Sequence, residues 1–174
     1  SPTLQNCTVA DNNASTGGGI YSLFDSSKPT IRNSILWGNG PDGLIGFRNA
    51  RFRVTYSDVE GGWPGEGNVN AHPKLNRTYR LTASSPCIDA GDDSDAPIRD
   101  IDGEVRRIGS THPPNSISMV DIGADEFVDT DGDTLPDMWE EQIIRADATD
   151  RIRNVEAVQP DDDFDGDALT NTQE

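Results

Sequence analysis

Three short segments of this chain superpose on one another. Leu4-Gln5-Asn6-Cys7-Thr8-Val9, Ile31-Arg32-Asn33-Ser34-Ile35-Leu36 and Val54-Thr55-Tyr56-Ser57-Asp58-Val59 start 27 and then 23 residues apart. Each opens on a branched apolar residue, has Asn or Tyr two positions on, then a small Cys or Ser, then an apolar residue two beyond. Asn12 and Asn39 follow the first two copies three positions on, and a second apolar run lies after each: Gly18-Gly19-Ile20-Tyr21 and Leu44-Ile45-Gly46-Phe47. A repeat of this length, with short β runs and no helical period, restricts the chain to stacked units. Strands of successive units then lie as parallel neighbours about 4.8 Å apart. That predicts inward ladders Leu4/Ile31/Val54 and Val9/Leu36/Val59. Asn6 and Asn33 fall at a bend, where Asn tolerates the left-handed conformation, and Cys7, Ser34 and Ser57 stack beside them. The competing architecture is a β-sandwich of hairpins. Its one turn signal is Asn39-Gly40, followed by Pro41.

Charge divides the chain further. Overall 31 acidic and 14 basic side chains give a net charge of −17 in 174 residues, which excludes nucleic-acid binding through a basic face and argues against docking on an anionic membrane. Residues 1–86 carry net +2, residues 87–128 net −7 and residues 129–174 net −12. An apolar content of 33% would suggest disorder if the chain were uniform, but its charge is strongly uneven along the sequence. No apolar run approaches the roughly 18 residues of a membrane span, so no direct insertion is expected. Two cysteines make neither a disulfide scaffold nor a cysteine-only zinc site. The two histidines, His72 and His112, are too far apart in the chain to suggest a His-rich metal centre.

The strings Asn6-Cys7-Thr8-Val9, Gly17-Gly18-Gly19-Ile20-Tyr21 and Asn33-Ser34-Ile35-Leu36-Trp37-Gly38-Asn39 resemble right-handed parallel β-helix proteins of the polymorphic outer-membrane-protein type. Residues 84–91 (Ser-Ser-Pro-Cys-Ile-Asp-Ala-Gly), Asp100-Ile101-Asp102-Gly103-Glu104-Val105-Arg106 and Val120-Asp121-Ile122-Gly123-Ala124-Asp125-Glu126 resemble the closing segment of large secreted bacterial β-helix proteins, some grouped as choice-of-anchor proteins. The resemblance covers residues 1–127. It implies a mainly β chain: the last turns of a right-handed parallel β-helix, secreted or at a bacterial cell surface, with the closing segment folded over the last turn to cover open strand edges. Asp89, Asp100, Asp102, Arg106, Asp121 and Glu126 then build tight turns with the Arg bridging carboxylates, or alternatively form a ligand or ion site. Cys7 and Cys87 read as small buried residues. A disulfide between them requires their stacks to meet.

Residues 128–174 form a second unit, a small α/loop calcium-binding appendix. Carboxylates at Asp129, Asp131, Asp133, Asp137 and Glu140, with the Leu135 carbonyl, occupy positions 1, 3, 5, 9, 12 and 7 of a twelve-residue calcium loop. Asp163, Asp165, Asp167, the Leu169 carbonyl, Asn171 and Glu174 repeat the spacing 34 residues on. Oxygen ligands at this density suit two Ca2+ ions, since the carboxylates would otherwise repel one another; a merely solvated acidic run is the alternative. Position 6, ordinarily Gly, is Thr134 and Ala168, with Gly132 and Gly166 at position 4 instead. Between the loops Met138–Arg145 reads as a helix, with Trp139 and Ile143 on one face, while Ile152, Val155 and Val158 supply a second apolar stripe. The loops resemble thrombospondin type 3 and dockerin-like calcium repeats. Ser1 enters mid-repeat and Glu174 leaves mid-motif, which predicts a piece of a longer protein.

Three functions compete. The first is a non-catalytic extracellular or cell-surface structural or adhesive β-helix, stabilised by calcium, whose partners are cell-surface polysaccharide or neighbouring subunits. A fragment of a polysaccharide lyase or glycoside hydrolase is the second, with Asp42, Arg51, Arg53, Asp58 and Glu60 on a strand face and Trp37 or Trp63 as sugar platforms. The third makes the tail a dockerin-like, calcium-dependent plug for a partner.

Overall fold

The computed structural model describes residues 1–23, 28–41, 43–46, 51–106, 120–147 and 151–172. Asp42, Phe47, His112 and Glu174, singled out above, lie outside the described residues. The repeats become sets of very short strands: β1 (Thr3–Gln5), β2 (Thr8–Ala10) and β3 (Ile20–Ser22); then β4 (Thr30–Arg32), β5 (Ile35–Trp37) and β6 (Leu44–Gly46); then β7 (Arg53–Thr55) and β8 (Asp58–Val59). Equivalent strands pair in three parallel sheets, ordered β1-β4-β7, β2-β5-β8 and β3-β6. The register is the one the repeats predict: Leu4 faces Ile31 and Ile31 faces Val54, while Val9 faces Leu36 and Leu36 faces Val59. The fold is mainly β, with parallel sheets and, among the described residues, one α-helix.

All named strand pairings are parallel, and antiparallel contact among the described residues is limited to the isolated bridges Leu75–Leu81 and Arg99–Val105. The hairpin sandwich is therefore set aside. Asn39-Gly40 is not a hairpin tip. Asn39 is buried, donates Nδ2–H to the Val9 carbonyl (2.7 Å) and accepts the Asn12 amide (3.1 Å), while Gly40 bridges Asn13 in parallel.

Between the first and second sheets the chain turns through Asn6, Asn33 and Tyr56, at φ 47°, 47° and 48°. Asn enters the left-handed region because its short polar side chain can bond locally. Here Asn33 Nδ2 reaches Asn6 Oδ1 (3.4 Å) and the Asp92 carbonyl (2.8 Å). The small residues next in line form a second ladder. Cys7 donates its amide to Ser34 Oγ (3.2 Å), Ser34 to Ser57 Oγ (3.1 Å) and Ser57 to Asn68 Oδ1 (3.1 Å). Each thiol or hydroxyl in turn donates to the carbonyl two residues back, on Gln5, Arg32 and Thr55. Asn68 belongs to a further layer, residues 66–70, in which Val69 bridges Asp58.

Side chains alternate across such strands, so each sheet has two faces to bury. Inward-facing Ile31, Leu36, Val54 and Val59 pack with Leu4, Val9, Ile20 and Leu44. On the opposite face of the second sheet, Ile35 is fully buried beneath Leu81, Cys87, Ile88, Ala90, Ile122 and Phe127. Burying one such side chain contributes roughly 1.5–3 kcal/mol. The closing segment is thus a clasp along the flank rather than a lid over the last turn. Stretches 87–91 and 120–124 join through Gly91 N–H to Val120 O (2.8 Å) and Ile122 N–H to Cys87 O (2.9 Å). They then bond Asn33 O through Gly123 N–H (2.9 Å), and Thr8 Oγ1 through Ala124 N–H (3.1 Å). Gly123, at φ 123°, lets the backbone approach Ile35, since a Cβ there would lie 2.9 Å from Ile35 Cδ1. Ile35 is an outward apolar residue that needs a cover, and that need draws the segment sideways. Cys7 and Cys87 are free thiols.

In the tail, α1 (Asp137–Ala146) buries Ile143 against Leu135 and Val158, with Trp139 and Ile152 alongside. Val155 lies in a short 3-10 helix, Val155–Ala157.

The ladder is testable. Ser57→Ala strands the buried Ser34 amide and is expected to cost about 1–3 kcal/mol in urea unfolding, whereas Cys7→Ser keeps the donor to the Gln5 carbonyl and is expected to change stability by less than about 0.5 kcal/mol.

Candidate metal centre

Both acidic loops fold around their first Asp. Asp129 Oδ1 accepts the amides of Gly132 (2.7 Å) and Asp133 (3.2 Å), and Oδ2 accepts that of Thr134 (3.1 Å). Asp163 repeats this with Gly166 (2.7 Å), Asp167 (3.1 Å) and Ala168 (3.0 Å). Asp133 and Asp167 each accept the amide of the leucine two residues on, Leu135 and Leu169, at 2.8 Å. These turns gather one carboxylate oxygen each from Asp129, Asp131 and Asp133 within 4.8 Å of one another, and likewise from Asp163, Asp165 and Asp167.

The remaining predicted ligands differ. Asp137 opens α1 and turns back to Thr130, accepting its amide (2.7 Å) and its hydroxyl. Glu140, one turn further along α1, is fully buried, and neither carboxylate oxygen has a hydrogen-bond partner. Desolvation, reinforced by Asp131, Asp133, Asp137 and Asp129, pushes its carboxyl up to about 8. A buried acid with no donor, repelled by four other carboxylates, is a group that a cation could pair. In the second loop Asn171 holds the Gln159 carbonyl through Nδ2 (2.7 Å), while its Oδ1 is buried without a partner. The donor sets are all hard oxygen and fit Ca2+. The loops differ in setting: Asp129 is buried, whereas Asp163, Asp165 and Asp167 are all exposed. Beside the second loop, Ile143, Ile152, Val158, Phe164 and Asn171 line a half-open cavity of about 280 Å3.

Position 6 keeps its left-handed backbone without glycine. Thr134 and Ala168 sit at φ 86° and 75°, in addition to Gly132 and Gly166 at 80° and 79°. The loop turn therefore carries strain at both non-glycine positions.

The polysaccharide-cleaving constellation is not assembled among the described residues. Asp58 is fully buried, accepting the Ala71 amide (3.3 Å) and the Cys87 thiol (3.5 Å), and burial raises its carboxyl. Glu60 is exposed and accepts the Gly38 amide (2.8 Å). Arg51 and Arg53 are exposed. Trp37 packs beside His72 (5.5 Å between rings), and Trp63 meets Phe52 edge-on.

The closing-segment acids are structural, with one surprise. Arg106 is buried, bonding Glu126 Oε2 (3.0 Å) and the carbonyls of Gly123, Ala124 and Asp125. Asp100 accepts the amides of Asp102, Glu104 and Glu126, and Asp102 pairs with Arg80. Reading them as turn-formers misses that Asp100, Glu104 and Asp125 converge within 4.8 Å; Glu104 and Asp125 lie 21 residues apart and share no motif. Burial and mutual repulsion push Glu104 up to about 8, and burial pushes Asp125 up to about 7.

Comparison of the chain with protein-family models, with curated proteins and with solved structures finds no match.

Two outcomes follow from this geometry. Thr134→Gly relieves the left-handed strain and is expected to stabilise the first loop by roughly 1 kcal/mol, read as a higher melting temperature in excess calcium. Glu104 and Asp125 hold protons in the folded chain that the unfolded chain has released. Stability is therefore expected to fall as pH rises through about 7 to about 8, and Glu104→Gln to flatten that fall in melts followed from about pH 6 to about pH 9.

Proposed function

We propose that the chain is a non-catalytic extracellular structural or adhesive protein of a bacterial surface, with a calcium-stabilised C-terminal module. In this reading the three parallel sheets are the faces of a right-handed parallel β-helix, residues 1–127 are its turns with their closing segment, and residues 128–174 are an EF-hand-like, thrombospondin type 3-like unit. Asp129, Asp131, Asp133, Asp137, Glu140 and the Leu135 carbonyl hold one Ca2+. Asp163, Asp165, Asp167, Asn171, Glu174 and the Leu169 carbonyl hold the other. The bound ion neutralises carboxylates that otherwise repel one another. The chain's own part is to fix Asp129 through three backbone amides and to seat Glu140 on the first turn and a half of α1.

The observation that carries the reading is the buried, partnerless Glu140 carboxylate facing a loop whose fold the second loop repeats bond for bond. Loops of this ligand type in extracellular modules bind in the range of about 10⁻⁴–10⁻³ M, which points to calcium-rich surroundings. Partners for such a rod are cell-surface polysaccharide or neighbouring subunits.

Calorimetric titration is expected to find two calcium sites, with Glu140→Gln weakening one of them by on the order of tenfold or more. Chelation followed by limited proteolysis is expected to open residues 129–172 to cleavage. No calcium heat, together with a cleavage pattern indifferent to chelator, would sink the proposal.

A further inference from the structure

Apart from the calcium loops, one ionisable group in the clasp has no evident use for its charge. Asp89 is 2% exposed, and both its carboxylate oxygens are sealed from solvent without a hydrogen-bond partner. Its backbone is committed: φ is 52°, and its amide donates to Asp121 Oδ1 at 2.7 Å. The backbone at this position is thus fixed by a tight turn and by its bond to the facing stretch. Neighbouring acids are better provided for. Asp121 accepts two amides, from Asp89 and from Phe127 (2.7 Å), and Glu126 accepts the Arg106 guanidinium. Such donors favour the charged form, and Asp89 has none.

The charged groups around Asp89 come from three places. Its own stretch brings Asp92, whose charge is engaged by Arg32 of β4, and Asp93, whose repulsion adds to burial in raising the Asp89 carboxyl. The facing stretch brings Asp121 and Glu126, the latter with Arg106. Beyond Cys87 lie Asp58 and His72. No cation meets Asp89 among the described residues. An unpaired ionised carboxylate is disfavoured in such a position, and the neutral, protonated form is favoured instead.

We propose that Asp89 is a proton-operated latch: the clasp closes on β2-β5-β8 with Asp89 as the neutral acid, and loosens when that proton is lost. The direction follows from linkage. The folded form binds the proton more tightly than the unfolded chain, so the contribution is fully present below the ordinary carboxylate range and is lost as pH rises through the folded value. Holding the proton tightens the clasp, and losing it loosens residues 87–91 and 120–124. The latch does not depend on the calcium reading, because none of these residues belongs to the acidic loops.

The test is amide hydrogen exchange of the full chain, corrected for intrinsic rates, from about pH 5 to about pH 9 in saturating calcium. The reporting amides are Gly91 and Ile122, which bridge the two stretches, and the internal reference is Ile35, bonded to Cys7 O within the second sheet. In the wild type, Gly91 and Ile122 are expected to lose protection relative to Ile35 as pH rises, by up to about tenfold per pH unit more than in Asp89→Asn. Asp89→Asn is expected to be the better protected once pH exceeds the value at which Asp89 loses its proton. Asp93→Asn, which removes the repelling neighbour, is expected to leave the clasp better protected than wild type at pH values where Asp89 is ionised. Equal slopes in wild type and Asp89→Asn overturn the proposal, as does a clasp that Asp89→Asn loosens at neutral pH while Asp93→Asn leaves it unchanged.

Discussion

Strands of two or three residues bury little each, so a stack of them holds only if every backbone group exposed at its corners finds a partner. The Cys7/Ser34/Ser57 ladder meets that condition. Ser34 and Ser57 each accept an amide from the layer before, and all three side chains donate to a carbonyl two residues back. An apolar residue of the same size in place of Ser57 leaves the buried Ser34 amide open at a cost of about 1–3 kcal/mol. Apolar ladders fill the interior, but the polar corner sets their register. Slipping one residue would put Leu36 and Val59 on the outer face.

The clasp solves a second problem by a different device. Ile35 faces outward from the same sheet, and covering it requires backbone to run close alongside, hence glycine at 123. Backbone laid on a sheet face carries amides that cannot all pair with the sheet. Asp100, Asp121 and Asp125 take up amides of Asp102, Glu104, Glu126, Asp89, Phe127 and Leu81. The acidity of residues 87–128 is thus largely a supply of acceptors. Crowding them has a consequence: Glu104, Asp125, Asp121 and Asp89 all hold their protons more tightly than a free carboxyl does.

Much of the stacked half was legible because the repeat is written in residue types with narrow conformational roles. Asn6 and Asn33 announce a left-handed corner, and Leu4, Ile31 and Val54 announce the ladder. Tyr56 takes the same corner without being a residue that advertises it, and residues 66–70 form a layer that no repeat marks, since its Asn68 stands where the others carry Cys or Ser. The clasp's motifs were visible but not its position, because the demand that places it comes from one residue, Ile35, in a strand far away in the chain. In the tail, spacing located the oxygen ligands. Spacing could not say that Asp137 turns back to Thr130 or that Glu140 is sealed, since both depend on how α1 packs on Leu135 and Val158.

The bonds from Ala124 to Thr8 and from Asn6 to Asp121 join residues 116 and 115 positions apart. Contacts of such sequence separation slow folding, because the connecting loop must close before they form. During synthesis the outer face of the first strands stays bare until residues 120–124 have emerged, long after β1 and β2 were made. A nascent chain halted before that point lacks Ile122 and Phe127 over Ile35 and leaves part of that sheet face open to whatever lies nearby.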